Sequence, residues 1–218
     1  MLGVRVMNKK TALQITEILT AEYPNPIPAL KFSSEYELLV AVVLSAQCTD
    51  ERVNKVTEKL FKVANTPKAM VELGQEELEK YIFSCGLYRS KASHIISASI
   101  DIENKFGGQV PSSLKDLQSL AGVGRKTANV VYSVAFGGDA IAVDTHVFRV
   151  SKRLGFSKGT TPLDTEKQLM KALPKQKWSH MHHAIIFHGR RVCSARNPKC
   201  SECILSKLCE YNNPKKRG

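Results

Sequence analysis

At 218 residues with 43% hydrophobic content, the chain can build a sizeable core and should fold without disulfide staples. Its 32 Lys and Arg against 20 Asp and Glu leave a formal charge of +12, which suits a polyanionic partner, nucleic acid first, and suits a merely soluble basic protein equally well. The opening "MLGVRVMNKKTALQ" lacks the apolar core of a signal peptide, and the longest apolar run, "LLVAVVLSA" from Leu38 to Ala46, is too short to span a bilayer. A soluble cytoplasmic protein without a membrane segment is therefore expected. In a reducing compartment its six cysteines read as ligands or core residues rather than disulfides.

Helical periodicity runs along the chain, beginning with Ala12, Ile15, Ile18 and Leu19. Ser34 stands three before Glu37 in a capping-box spacing, ahead of a segment from Ser34 to Ala46 that is apolar on nearly every face. That segment predicts a central helix wrapped by the others. Its polar exit, "SAQCTDERV", predicts a new helix from Thr49 or Asp50, carrying Val53, Val56 and Leu60 inward. Thr66 before Pro67 marks a further start, Gly86 a stop, and Ile95, Ile96, Ala98 and Ile102 another helix closed by Gly107. Ser113, three before Asp116, opens the next, and Gly155 closes a later one. Strand-like alternation is nearly absent, so about ten short helices form an all-α protein. The tail "NNPKKRG" reads as disordered, and no Pro/Gly-rich linker marks a domain boundary.

The stretch "SSLKDLQSLAGVGRKTANVVYSVAF" predicts helix, turn, helix, with Leu114, Leu117 and Leu120 on one arm and Ala128, Val131 and Val134 on the other. Gly122 and Gly124 form the turn. Each glycine would cost about 1 kcal/mol relative to alanine inside a helix, so they serve backbone shape: glycine tolerates positive φ and lets another backbone come close. The N–H groups that open the second helix make an anion site that suits a phosphate. Taken alone, the pair also reads as an ordinary helix stop followed by a turn.

Four cysteines, Cys193, Cys200, Cys203 and Cys209, are spaced C-x6-C-x2-C-x5-C. Four thiolates can hold tetrahedral Zn²⁺ or a [4Fe–4S] cube. Arg190, Arg191, Arg196 and Lys199 lie within or just before this loop and suit phosphate contacts. Cys48 and Cys85 fall outside the motif and read as small core residues.

The wider string "LAGVGRKTAN" resembles the helix-hairpin-helix of base-excision DNA glycosylases, and its spacing to "AVDTHVFRV" is similar to that of the endonuclease III family. The resemblance extends from "LLVAVVLSAQCTD" through "GLYRSKA" to the cysteine loop, with one departure: Ala121 stands where the family usually carries proline. It implies a two-domain all-α glycosylase fold with a C-terminal [4Fe–4S] cluster loop. One domain is a six-helix barrel over residues 28–138 with the hairpin at about 113–136; residues 1–27 and 139–218 form the other, with the cluster loop at 193–209 and DNA bound across the cleft. It also implies the cube rather than zinc.

The same resemblance assigns Lys126 as nucleophile and Asp144 as acidic partner. A neutral amine can attack the sugar C1′, expel a damaged base and form a Schiff base that promotes β-elimination of the 3′ phosphate; a carboxylate can relay protons and stabilise positive charge on the sugar. Taken singly, Lys126 also reads as a solvated charge and Asp144 as a helix N-cap. Gln47 and Leu87 hold the positions whose side chains wedge into the duplex when a nucleotide is flipped out. Gly122, Gly124, Arg125, Thr127, Arg190 and Arg191 are the expected DNA contacts, with His146 either lining the damage pocket or meeting a phosphate. His180, His182, His183 and His188 read as packing or surface residues. The implied function is excision of oxidised pyrimidines from damaged double-stranded DNA followed by abasic-site cleavage, by a monomer in the cytoplasm and, in a bacterium, at the nucleoid. A monofunctional glycosylase or a non-catalytic DNA-binding module are the rivals, and neither needs the Lys126 and Asp144 pair.

Overall fold

The computed structural model describes residues 7–26 and 28–213. They form eleven α-helices: α1 Lys9–Glu22, α2 Glu35–Leu44, α3 Asp50–Leu60, α4 Pro67–Leu73, α5 Gln75–Ile82, α6 Tyr88–Phe106, α7 Leu114–Ser119, α8 Arg125–Ala135, α9 Thr145–Leu154, α10 Pro162–Ala172 and α11 Trp178–Arg191. A 3₁₀ turn, Lys175–Lys177, precedes α11, and no strand occurs among the described residues. No helix among them is long and apolar enough to cross a membrane. The first six residues, where the opening stretch was expected to carry no signal peptide, lie outside the described residues.

Helix starts follow local chemistry. Asn8, Ser34, Thr49, Thr66, Ser113, Asp144 and Thr161 each accept a backbone N–H three residues on. At Ser34 the box is skewed: Glu37 reaches back to the N–H of Ser33, at 2.7 Å. At Ser113 the shorter Asp116 accepts the serine hydroxyl instead, at 2.7 Å. Gly107 and Gly155 end α6 and α9 in the left-handed conformation. Gly86 does not act as a stop. The α5 helix already ends at Ile82, and a Cβ on Gly86 would lie 3.4 Å from the carbonyl oxygen of Gln47, so this glycine marks a close approach of two loops.

The chain divides into two compact units, Pro28–Gly138 and Met1–Ile27 with Asp139–Gly218, as far as these are described. The first holds α2 to α8, and every residue of α2 from Tyr36 to Leu44 is buried. At ten residues α2 is too short to persist alone in water, and burial of its leucines and valines, about 1.5–3 kcal/mol each, stabilises it. Helices α6 and α8 pack directly on it. The Tyr36 hydroxyl meets Ser99 Oγ of α6 at 2.5 Å, so the polar end of this buried ring is satisfied.

In the second unit α1 packs on α11, and α11 on α9. Ile15, Leu19, Ile141, Val147, Val150, Phe156, Leu169, Met181 and Ile185 share one core with Leu205 and Cys209 of the cysteine loop. The expected disorder of "NNPKKRG" does not hold for its first two residues. Asn212 donates to Ser206 Oγ at 2.7 Å, and Asn213 to the carbonyl oxygens of Ser206 and Cys209 at 2.6 and 3.1 Å. Both bind back onto the cysteine loop; residues 214–218 lie outside the described residues.

Candidate active site

The helix hairpin is α7, a five-residue turn and α8. Leu117, Leu120, Val123, Ala128 and Val131 bury its inner side in the core of the first unit. The turn closes without proline at Ala121, through Val123 N–H to the Leu120 carbonyl at 3.1 Å. Its two glycines differ in kind. Gly122 has φ +72, and a Cβ there would lie 2.7 Å from His94 Cβ, so both conformation and packing demand glycine. Gly124 has φ −74, which any residue adopts, and no heavy atom beyond its chain neighbours lies within 4 Å of a Cβ placed on it. It caps α8 without a side chain, and Arg125 and Lys126 follow exposed, with Thr127 half-buried.

Gln47 and Leu87 are distant in sequence and both exposed, Leu87 at 62%. Both hold left-handed backbone, φ 53 and 59, a strained state for side chains of this size. Their loops adjoin at the approach of Gly86 to the Gln47 carbonyl. Beneath them lies Lys91, 4% exposed, whose ammonium donates to the carbonyl oxygens of Leu44 and Ala46 at 2.8 and 2.6 Å. Burial pushes this ammonium down from its ordinary range. Cys85 is buried against Cys48, and burial together with that neighbour pushes its thiol up to about 11. Such thiols are inert core groups.

In the second unit Asp144 caps α9, its Oδ1 accepting the Val147 N–H at 2.7 Å. His146 is half-buried, with Nδ1 3.1 Å from an Arg149 nitrogen. Arg149 also donates to the Gly189 carbonyl at 3.0 Å and the Cys193 carbonyl at 3.1 Å, so His146 belongs to the bracing between α9, α11 and the cysteine loop. Arg190 and Arg191 are exposed at the end of α11, but the Arg191 guanidinium stacks 4.9 Å from the Phe187 ring centre and 5.8 Å from that of Tyr23. Of the other histidines, burial pushes His183 down to about 3 and His188 to about 4, which keeps both rings neutral as packing groups.

Cys193, Cys200, Cys203 and Cys209 line one small pocket, partly open to solvent. Among the described residues no three His, Cys, Asp or Glu converge closely enough to hold one metal ion. Zinc would need four ligands around a single point, whereas a cube takes each thiolate at a different iron; the enclosing arrangement fits the cube. Burial pushes the Cys203 and Cys209 thiols up, and a cationic cluster beside them would favour the thiolate forms that ligate. Arg153 braces the loop through Cys193 Sγ at 3.4 Å and the Ser194 and Ala195 carbonyls at 2.7 and 3.0 Å.

Residues 40–175 match the model of the HhH-GPD superfamily base excision DNA repair proteins, and residues 193–209 that of the iron-sulfur binding domain of endonuclease III. Endonuclease III of Haemophilus influenzae is 49% identical over 205 residues, which cover 94% of this chain and 97% of that protein. The chain belongs to the endonuclease III family. Endonuclease III of Escherichia coli K12 shows the same 49% identity and coverage. A solved structure of a trapped endonuclease III–DNA covalent intermediate superposes with a TM-score of 0.91 at 47% identity, over 96% of this chain and 99% of that one.

The cofactor of this endonuclease III homologue is a [4Fe–4S] cluster. Cys193, Cys200, Cys203 and Cys209 would complete its shell, so the cube would cross-link the loop and leave no open position for substrate. The structure brings Gly122, Gly124, Arg125, Lys126 and Thr127 together on the hairpin, and Gln47 and Leu87 together on adjoining loops. Asp144, His146, Arg190, Arg191 and the cysteines belong to the other unit. Sequence reasoning missed Lys91, Arg149 and Arg153. The two arginines stand one turn apart on α9 and could have been paired from spacing, but nothing local says that loop carbonyls face them.

Two outcomes follow from this geometry. Gly122→Val should lower the melting temperature through strain and the His94 clash, whereas Gly124→Val should leave melting almost unchanged and weaken duplex binding, measured by fluorescence anisotropy; equal melting losses would remove the distinction. The purified protein should be yellow-brown, absorbing near roughly 400 nm, with iron and acid-labile sulfide; a colourless protein with stoichiometric zinc would sink the cube.

Proposed function

We propose that this chain removes oxidised pyrimidines from duplex DNA and then cuts the abasic strand by β-elimination, with Lys126 as nucleophile. The observation that carries the assignment is the placement of Lys126: exposed in the first turn of α8, straight after a glycine turn, in a member of the endonuclease III family. Gly124 leaves the helix start bare, and a phosphate oxygen can reach its N–H groups there. The hairpin therefore grips the backbone while the adjacent amine, in its neutral form, attacks C1′ of the flipped nucleotide. The bond from C1′ to the base breaks and the base leaves with a proton given up by the amine; the C1′–O4′ bond then opens, O4′ taking a proton, and C1′ and the lysine nitrogen remain joined as a protonated Schiff base. Loss of a C2′ proton then expels the 3′ phosphate.

Asp144 stabilises positive charge on the sugar as the base departs. Its capping bond engages Oδ1, so Oδ2 is the oxygen assigned to this work. Gln47 and Leu87 fill the space left by the extruded nucleotide; both are exposed on strained backbone, and a DNA stack supplies contacts that offset the strain. Arg125, Thr127, Arg190, Arg191 and His146 are assigned to phosphate contact. Cys193, Cys200, Cys203 and Cys209 hold the cluster. The relatives from Haemophilus influenzae and Escherichia coli are bacterial, and the proposed setting is the cytoplasm, with nucleoid DNA as substrate and a single chain as the acting unit.

Borohydride added during turnover should trap a covalent protein–DNA adduct whose peptide map places the link on Lys126. Lys126→Gln should abolish trapping and strand cleavage while damaged-duplex affinity persists; full lyase activity in that variant would overturn the mechanism. Asp144→Asn keeps the cap, since asparagine caps as well as aspartate, and removes the charge. It should slow excision of thymine glycol more than cleavage of a pre-formed abasic site, as read by single-turnover kinetics. Affinity for undamaged duplex should fall with salt at a log–log slope of about −0.9 per phosphate contact, and Arg125→Ala should reduce that slope by about one contact; a flat salt response would remove the electrostatic basis of binding.

A further inference from the structure

Lys91 lies in the first turn of α6, and it touches both strained loops at once. Its own N–H donates to the carbonyl of Leu87 at 3.0 Å. Its ammonium crosses to the end of α2 and donates to the carbonyl oxygens of Leu44 and Ala46, immediately ahead of Gln47. The residue is 4% exposed, so a charge has been taken out of water to make these bonds. The buried Leu44 carbonyl needs a donor, which the lysine supplies as it closes α2. The same ammonium reaches on to the part-buried Ala46 carbonyl, one residue before Gln47. What the lysine adds is a fixed distance between the end of α2 and the start of α6, the two points from which Gln47 and Leu87 project.

We infer that Lys91 is a positioning residue for nucleotide extrusion. Its side chain sets the spacing between Gln47 and Leu87, so that both enter the duplex as one unit. The inference rests on the reading of those two side chains as the groups that occupy the opened stack. Lys91 has no part in the chemistry at the sugar, which distinguishes it from Lys126: its ammonium is held as a donor to two carbonyls. Its effect should appear only where a base stack must be opened.

Lys91→Met keeps the stem and removes the donors. Single-turnover excision from a duplex carrying an oxidised pyrimidine is expected to fall about tenfold, the scale of losing a hydrogen bond to a charged group. Cleavage of an abasic site in a single strand, which has no duplex to open, should stay within about twofold of the wild type. The fluorescence rise of 2-aminopurine beside the lesion, a direct reading of unstacking, should shrink in the variant. Added to Gln47→Ala, Lys91→Met should cost much less than it does alone, because the side chain it positions is gone. If Lys91→Met does not fold, Lys91→Gln, which retains one donor group, carries the same comparison. Equal losses on duplex and single strand, or an unchanged duplex rate, would overturn the inference. If Gln47→Ala and Leu87→Ala were themselves without effect on duplex excision, the wedge reading would fail first, and the two failures are thereby distinguishable.

Discussion

A helix without a polar face can exist in water only if other helices cover every side of it, and α2 is such a helix. Every residue from Tyr36 to Leu44 is buried, and α3, α6 and α8 pack directly on it. That enclosure also carries the end of α2 into apolar surroundings, where its last carbonyls need donors. Lys91 supplies them, and the chain that leaves α2 is thereby held against the start of α6. The loop that presents Gln47 is a consequence of how the core must close.

Backbone strain is confined to few places. Among the described residues, Gln47, Leu87 and Asn197 are the non-glycine positions with positive φ. The first two project from adjoining loops, and the third belongs to the cysteine loop. Ordinary connections instead use glycine where the backbone turns left-handed, as at Gly107 and Gly155. Gly124 is the reverse case, a glycine where neither dihedral nor neighbour asks for one. It serves as the N-cap of α8 and leaves the helix start open from outside, with Arg125 and Lys126 next in the chain.

The cysteine loop of the second unit is tied to the core rather than appended to it. Leu205 and Cys209 are buried in the core with Phe156 and Leu169, and the Arg153 guanidinium lies 4.8 Å from the Tyr211 ring centre while bonding loop carbonyls. Two arginines one turn apart on α9 thus carry loop geometry into the helix that Asp144 caps. The cluster and the carboxylate share one scaffold, although no cluster ligand touches the reacting atoms in the proposed mechanism.

Local chemistry is legible in the sequence. The caps at Ser34, Thr66 and Ser113 and the stops at Gly107 and Gly155 depend on neighbours three or four residues away, and the all-apolar face of α2 is visible in its own ten residues. The hairpin, Lys126 and the cysteine spacing are legible because a short string encodes each of them. Gly86 misleads because a helix-stop glycine and a close-approach glycine look alike until the partner, here the Gln47 carbonyl, is known. Asn212 and Asn213 mislead because their amides bind carbonyls of a loop whose path the tail composition does not specify. In sequence, Lys91 looks like any lysine in a basic chain. Only the tertiary structure decided that its ammonium is buried and shared between two loops, because that outcome depends on where α2 ends against α6, and the packing of helices far apart in sequence sets that distance.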